Sequence, residues 1–286
     1  MAGTQVRVLT VVGAGIMGRG IALASARAGY ETRVIEPSAR AIESARKELS
    51  KIMDRAREKG EVQEVEADTA MKRLSWFETL DDAKGSDLVI EAVPESVALK
   101  AELFAQLAPI IPREAILATN TSGLSITELA ATSDRATRFV GMHFFNPVHR
   151  MRLVELVRGL ETGEEALAAC EAVARAMGKE TVVVRESPGF VTSRINALIG
   201  NEAFAMLEAG VASARDIDKA LKLGLNHPMG PFEMVDLVGL DTRLSILEYL
   251  HRTLGEKYRP SPLLTQYVKA GRLGRKVGRG VYDYPP

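Results

Sequence analysis

The sequence predicts an α/β protein in two parts: a doubly wound, mostly parallel sheet over residues 1–186, then an all-helical domain over 187–286. Three observations carry this prediction. A β-branched run at 6–12 feeds directly into Gly13-Ala14-Gly15-Ile16-Met17-Gly18 and a helical pattern. Short apolar runs then alternate with helical segments as far as Arg185, and from Pro188 onward β-branched runs vanish. Strand–helix–strand alternation is the pattern of a parallel sheet covered on both faces, with ligands at the carboxyl ends of its strands.

The glycine run sits between a strand and a helix that extends from Ile16 to a C-terminal stop at Gly29. In G-x-G-x-x-G the first glycine permits the tight turn. The second lets the backbone approach a pyrophosphate, and the third lets helix pack on strand. The helix N-terminus then offers unpaired N–H groups and a positive dipole end to the phosphates. A second strand at 32–35 ends at Glu36, 23 residues after Gly13. That spacing predicts a Rossmann-like unit, with Gly13, Ala14, Gly15, Ile16, Met17 and Gly18 around the dinucleotide. Glu36 can accept hydrogen bonds from ribose hydroxyls and would repel a 2′-phosphate, which favours NAD over NADP. Arg33 and Arg40 pull weakly the other way, and Glu36 could equally cap the helix that starts near Ser38.

A long amphipathic helix is expected over 38–59, with Ala41, Ile42, Ala45, Leu49, Ile52, Met53 and Ala56 on its apolar stripe. Its other face is rich in cations, among them Arg55 and Lys59. These read either as a solvated mixed-charge face or as contacts for a phosphate-bearing substrate. Further strands are expected at 87–93, 115–119 and 139–145, with helices near 96–107 and 126–131 between them. The strand ends then mark Pro94-Glu95, Asn120-Thr121-Ser122 and Asn146-Pro147 as site-forming loops.

His143 lies in the apolar run 139–145, and a short connection leads to a second run at 151–157. If these form a hairpin centred on residue 149, His143 and Glu155 become cross-strand neighbours about 5 Å apart at Cβ. Glu155 alternates with Leu153 and Val157 on a face that reads as buried, where an ionised acid needs a partner. A histidine backed by a carboxylate is a general base of set orientation; a lone histidine in an apolar strand is otherwise an ordinary core residue. Asn120, Ser122 and Asn146 would add polar groups for a substrate hydroxyl or carboxamide. His149 and His251 read as surface positions and His227 as a turn residue. No pair of histidines has metal-ligand spacing, so no metal is expected. After Val157 come an expected helix at 164–177 and a strand at 181–185. Cys170, in that helix, has no basic neighbour to activate it and reads as core.

The domain boundary is expected at Glu186/Ser187. Pro188 suits the first turn of a helix running to about Glu208, with Ile195, Leu198, Ile199, Ala203, Met206 and Leu207 on its apolar side. Further helices are expected near 214–222, 232–238, 242–254 and 262–270. A helical domain with several apolar faces suggests a homodimer.

Composition sets the outer bounds. The 37 Lys+Arg balance 37 Asp+Glu, which argues against a nucleic-acid partner. Apolar runs stay well short of the ~18 residues of a spanning helix, so no membrane partner is expected. A strand-like run from Val6 leaves no room for a targeting peptide. The single cysteine fits a reducing compartment, so a cytoplasmic protein is expected.

These motifs together resemble the 3-hydroxyacyl-CoA dehydrogenase family over essentially the whole chain, most closely its stand-alone short-chain members. The resemblance rests on the 13–18 loop, Glu91-Ala92-Val93-Pro94-Glu95, the run 120–126, and His143-Phe144-Phe145-Asn146-Pro147 with Glu155 eight residues beyond that string. It continues through Ser187-Pro188-Gly189-Phe190-Val191 and the segments 228–232 and 236–241. It implies an NAD-dependent oxidation of (S)-3-hydroxyacyl-CoA, with 3-hydroxybutyryl-CoA the expected substrate, and the reverse reaction. By the same resemblance His143 is the base and Glu155 its orienting partner. Ser122 and Asn146 lie at the substrate oxygen, and Glu95, Lys100 and Lys276 on the cofactor side. There is one departure: many members carry Asn where this chain has Ser193, a shorter side chain with one donor instead of two. The family's coenzyme A contacts carry over only in part, since Lys59 fits and Ile52 stands where serine is expected. An alternative keeps the fold but takes a free 3-hydroxy acid, such as a sugar acid or carnitine. A third reading is a non-catalytic NAD-binding protein.

Overall fold

The structure is a computed structural model and describes residues 5–284. The chain divides into two compact units, Met1–Glu186 and Ser187–Pro286. The first holds eight strands: β1 (Val8–Val12), β2 (Glu31–Ile35), β3 (Leu74–Phe77), β4 (Leu88–Glu91), β5 (Ile116–Thr119), β6 (Phe139–Phe144), β7 (Leu153–Arg158) and β8 (Glu180–Arg185). They form one sheet in the order β3-β2-β1-β4-β5-β6-β7-β8. Every neighbouring pair is parallel except β6 with β7. The chain winds outward from β1 to β3 and then returns to place β4 on β1's other side. That reversal opens a crevice at the carboxyl ends of β1 and β4.

Helices α1 (Ile16–Arg27), α2 (Ala39–Glu58), α3 (Glu64–Lys72), α4 (Val97–Leu107), α5 (Ile126–Ala130) and α6 (Glu164–Ala176) connect the strands. Strands β4, β5 and β6 are buried along their whole length, as a sheet covered on both faces requires. The Ser38 hydroxyl caps α2 by accepting from Ala41 N at 3.3 Å, and the helix turns Ala45, Leu49 and Met53 of its stripe into the core. Cys170 is completely buried, and burial pushes its thiol up to about 12, which leaves it inert.

Elements α3 and β3 carry no sequence expectation. The edge strand β3 buries only Leu74 among its four residues, and α3 buries only Ala67 and Ala70, so neither produces a periodic apolar signal. Trp76 of β3 is covered by the Arg46 guanidinium, 5.5 Å from the ring centroid.

The second unit is helical: α7 (Thr192–Glu208), α8 (Ala214–Gly224), α9 (Pro231–Val238), α10 (Leu240–Leu254) and α11 (Pro262–Lys269). Two expectations for α7 need correction. Pro188 lies in a turn ahead of the helix: Gly189 (φ 73°) and Phe190 (φ 48°) adopt left-handed backbone, which delays the helix to Thr192. The fully buried face is Ala197, Gly200, Ala203 and Phe204, with Leu198, Met206 and Leu207 partly buried against the same core as expected, whereas Ile195 is 54% exposed. Small residues win that face because a Cβ at Gly200 would stand 3.0 Å from Val235 and 3.6 Å from the Nε of buried Arg243. Phe204 packs edge-on against Phe232 (5.2 Å) and Tyr267 (5.7 Å). Phe204→Ala is expected to cost about 3–5 kcal/mol in urea unfolding; a loss below about 1 kcal/mol would mean that this cluster does not hold the helical unit together.

Candidate active site

The glycine-rich turn is built from close approaches. Gly13 (φ 103°) donates to Ile35 O at 2.8 Å, and a Cβ on it would stand 2.8 Å from Ala92 O. A Cβ on Gly18 would overlap Gly13 O at 1.8 Å, so α1 could not lie so near β1 with any side chain there. At Gly15 a Cβ would meet nothing within 4 Å. The first and third glycines are thus demanded by the chain itself, while the second leaves room above the backbone. The N-terminus of α1 has no side-chain cap and no acid in its first turn, so its positive end is left for an anion. Glu36 is held at the same loop: Oε2 accepts from Ala14 N (3.1 Å) and Oε1 from Ser38 N (3.2 Å). A bare backbone approach, an uncapped helix end and a carboxylate at the end of β2 fit a bound dinucleotide.

Beyond β4 lies a buried ionic row. Glu91 and Lys100 are both completely buried, with Lys100 Nζ 2.6 Å from Glu91 Oε1. Glu91 also accepts from Thr119 Oγ1 (2.6 Å) and Val93 N (2.7 Å), so its carboxylate lone pairs are used. Burial raises its pKa, and Lys100 counters that most strongly. The Lys100 ammonium reaches on to Glu95 Oε2 at 3.3 Å, and Glu95 Oε1 accepts from Ser122 N (2.9 Å), Ser122 Oγ (3.2 Å) and Thr121 Oγ1 (2.5 Å). The resemblance sets Lys100 beside the cofactor. In the structure its ammonium has no exposed surface and stands behind Glu95, because the Glu91 carboxylate draws it inward. No motif spacing singles out Glu91; its signal in the sequence is an acid in an otherwise apolar strand run.

His143 and Glu155 face each other across the antiparallel β6–β7 pair, in the register that symmetry about residue 149 requires. Nδ1 of the imidazole lies 2.7 Å from Glu155 Oε2. Glu155 is completely buried and His143 is 7% exposed, with the Phe145 ring tilted against the imidazole at 4.4 Å between centroids. Asn120 fixes the strand end by accepting from Phe144 N through Oδ1 (2.9 Å), so that oxygen is committed to the backbone. Asn146 is exposed just past β6. The glycine loop, Glu95, Ser122 and His143 therefore stand at the carboxyl ends of β1, β4, β5 and β6, four consecutive parallel strands. At ~4.8 Å per strand the row spans about 14 Å.

The remaining residues expected from the sequence belong to other elements. Arg55 and Lys59 are exposed at the end of α2, where neighbouring Lys51 pairs with Glu48 and Arg57 with Asp54 and Asp68. Ser193 and Lys276 belong to the helical unit. Ser193 is the second residue of α7, and Lys276 Nζ contacts both oxygens of Asp241 at 2.6 Å.

Lys100→Met is expected to destabilise the protein by about 3–5 kcal/mol, because it strands a buried carboxylate. The Glu91→Gln/Lys100→Met pair should recover most of that loss. A double variant no more stable than Lys100→Met in chemical unfolding would contradict the pairing.

Two family models cover nearly the whole chain: the 3-hydroxyacyl-CoA dehydrogenase NAD binding domain matches residues 8–187, and the C-terminal domain of the same family matches 189–284. A Bacillus subtilis (strain 168) protein named "Probable 3-hydroxybutyryl-CoA dehydrogenase" is 48% identical over 281 residues, 98% of each chain. The 3-hydroxybutyryl-CoA dehydrogenase of Bradyrhizobium diazoefficiens is 44% identical over 96% of this chain and 94% of its own. The crystal structure of (S)-3-hydroxybutyryl-CoA dehydrogenase from Ralstonia eutropha superposes with a TM-score of 0.96 at 44% identity, covering 99% of this chain and all of that one.

Proposed function

The chain belongs to the 3-hydroxyacyl-CoA dehydrogenase family of NAD-dependent oxidoreductases, and from that premise we propose that it interconverts (S)-3-hydroxybutyryl-CoA and acetoacetyl-CoA, with His143 and Glu155 moving the proton. The observation that carries the catalytic reading is the 2.7 Å contact between Nδ1 and a fully buried carboxylate. An ionised Glu155 accepts the Nδ1 proton, which leaves the lone pair of a neutral imidazole on Nε2. In oxidation Nε2 takes the proton of the substrate 3-hydroxyl, and Glu155 stabilises the imidazolium that results. In the reverse direction the same nitrogen returns the proton to the 3-oxo oxygen. Bound NAD supplies the hydride acceptor for C3. Gly13 to Gly18 and Glu36 would hold it, with Lys276 of the helical unit as a further cofactor-side group. Ser122, oriented by Glu95, offers its hydroxyl at the neighbouring strand end, and Asn146 a carboxamide.

Arg55 and Lys59 are exposed cations suited to the phosphates of coenzyme A, and Ser193, a hydroxyl where the family resemblance leads one to expect Asn, is a proposed substrate contact. A homodimer through the helical unit is supported by large apolar side chains left exposed there: Ile195 (54%), Leu223 (78%), Leu225 (66%) and Leu237 (50%). Among the described residues no helix is long and apolar enough to cross a membrane. A single buried cysteine supports a cytoplasmic setting.

The direct test follows NADH absorbance with acetoacetyl-CoA and, separately, with free acetoacetate. Turnover of the thioester is expected; turnover of the free acid alone would transfer the reading to a free 3-hydroxy acid. His143→Gln should lower kcat by roughly 10²–10⁴-fold while NADH binding by fluorescence persists, and near-normal kcat would remove His143 from proton transfer. Glu36→Ala should narrow the preference for NAD over NADP in kcat/KM; an unaltered ratio would mean that another group reads the ribose.

A further inference from the structure

At the end of α1 remote from the glycine loop, a cavity of about 270 Å³ opens among Leu23, Ala24, Arg27, His149, Met177 and Lys179. A 12-residue helix is about 18 Å long, so this cavity is separate from the dinucleotide crevice. Its lining is apolar apart from the side chains of Arg27, His149 and Lys179. Lys179 is only 9% exposed, and its ammonium donates to two backbone carbonyls, Val148 O at 2.5 Å and Met151 O at 2.9 Å. Among the described residues no carboxylate pairs with Lys179, Arg27 or His149. The groups also feel one another. Burial lowers the pKa of His149, reinforced by Arg150, Lys179 and Arg27 and opposed by Glu61; burial and Arg27 lower that of Lys179. A nearly buried ammonium without a counter-charge is costly, and one of its three N–H donors is not spent on these carbonyls.

We propose that this cavity binds a phosphoryl group between Arg27, His149 and Lys179. An anion there offsets the repulsion between Arg27 and Lys179, can accept a hydrogen bond from the His149 ring, and takes the remaining Lys179 donor in a charge-assisted hydrogen bond. The same Lys179 holds the connection between β6 and β7, the strands that carry His143 and Glu155, so the bound anion stiffens the loop under the catalytic pair. The phosphoryl group arrives either as a free phosphate or on the coenzyme A of the substrate, and the second source rests on the function proposed above.

The test uses Arg27→Ser/His149→Gln and keeps Lys179, whose bonds anchor the hairpin loop. Inorganic phosphate, compared with chloride at equal ionic strength, should raise the Tm of the unaltered protein by about 2–4 °C more than that of the double variant, in which the anion-binding end of α1 is intact. This readout needs no turnover, so its failure is distinct from failure of the dehydrogenase reading. The source is read from KM for acetoacetyl-CoA divided by KM for acetoacetyl-pantetheine. A rise of about three- to tenfold in the variant identifies the coenzyme A phosphates, and an unchanged ratio with a reduced Tm shift identifies a free phosphate. An equal phosphate shift in both proteins, or no shift in either with an unchanged ratio, overturns the proposal.

Discussion

One reversal of strand direction organises the chemistry of this protein. Six strands of the sheet run parallel from β3 to β6, and then β7 turns back against β6. A parallel neighbour would have needed a long crossover and would have brought a different register to His143. The antiparallel return sets Glu155 directly opposite His143 and buries its carboxylate, where the imidazole gives it a hydrogen-bonding partner of the required polarity. Orientation of the imidazole thus comes from backbone pairing, which is stiffer than any side-chain contact on a loop could be.

Ionic groups support the crevice at two depths. At the surface of the crevice, Glu36 and Glu95 bind backbone N–H groups of the loops they serve, Ala14 and Ser122. Beneath them the Glu91–Lys100 pair is closed to solvent, and its four short contacts tie β4, β5 and α4 together. A buried ion pair contributes little net stability over apolar packing of the same volume. Its value here is positional, since the ammonium extends to Glu95, and Glu95 in turn sets Ser122.

A balanced composition of 37 cations and 37 anions conceals uneven local charge. On α2 Lys51 and Arg57 are answered locally by Glu48, Asp54 and Asp68, and Arg46 by the ring of Trp76. Around Arg27, His149 and Lys179 the charge is not so answered among the described residues, although these residues are 122 and 30 positions apart in the chain and no charge run announces them.

Local patterns made much of this protein legible in its sequence. The 13–18 glycine run, the apolar strand runs, the Ser38 cap and the sum rule relating His143 to Glu155 each depend on neighbouring residues or on one short hairpin, and such interactions are written in spacing. The elements α3 and β3 were not legible, because an edge strand and a half-buried helix leave too little apolar periodicity. The late start of α7 followed from two left-handed residues, and its buried face from the space left by Arg243 and Val235, which come from other helices. That Lys100 is buried was not legible in the sequence. Its depth is decided by Glu91 on another element. The sequence by itself determined which residues could carry chemistry and which strands would present them. Only the tertiary structure decided which charges lose water and find a partner, since desolvation is a property of the assembled surroundings and of no segment alone.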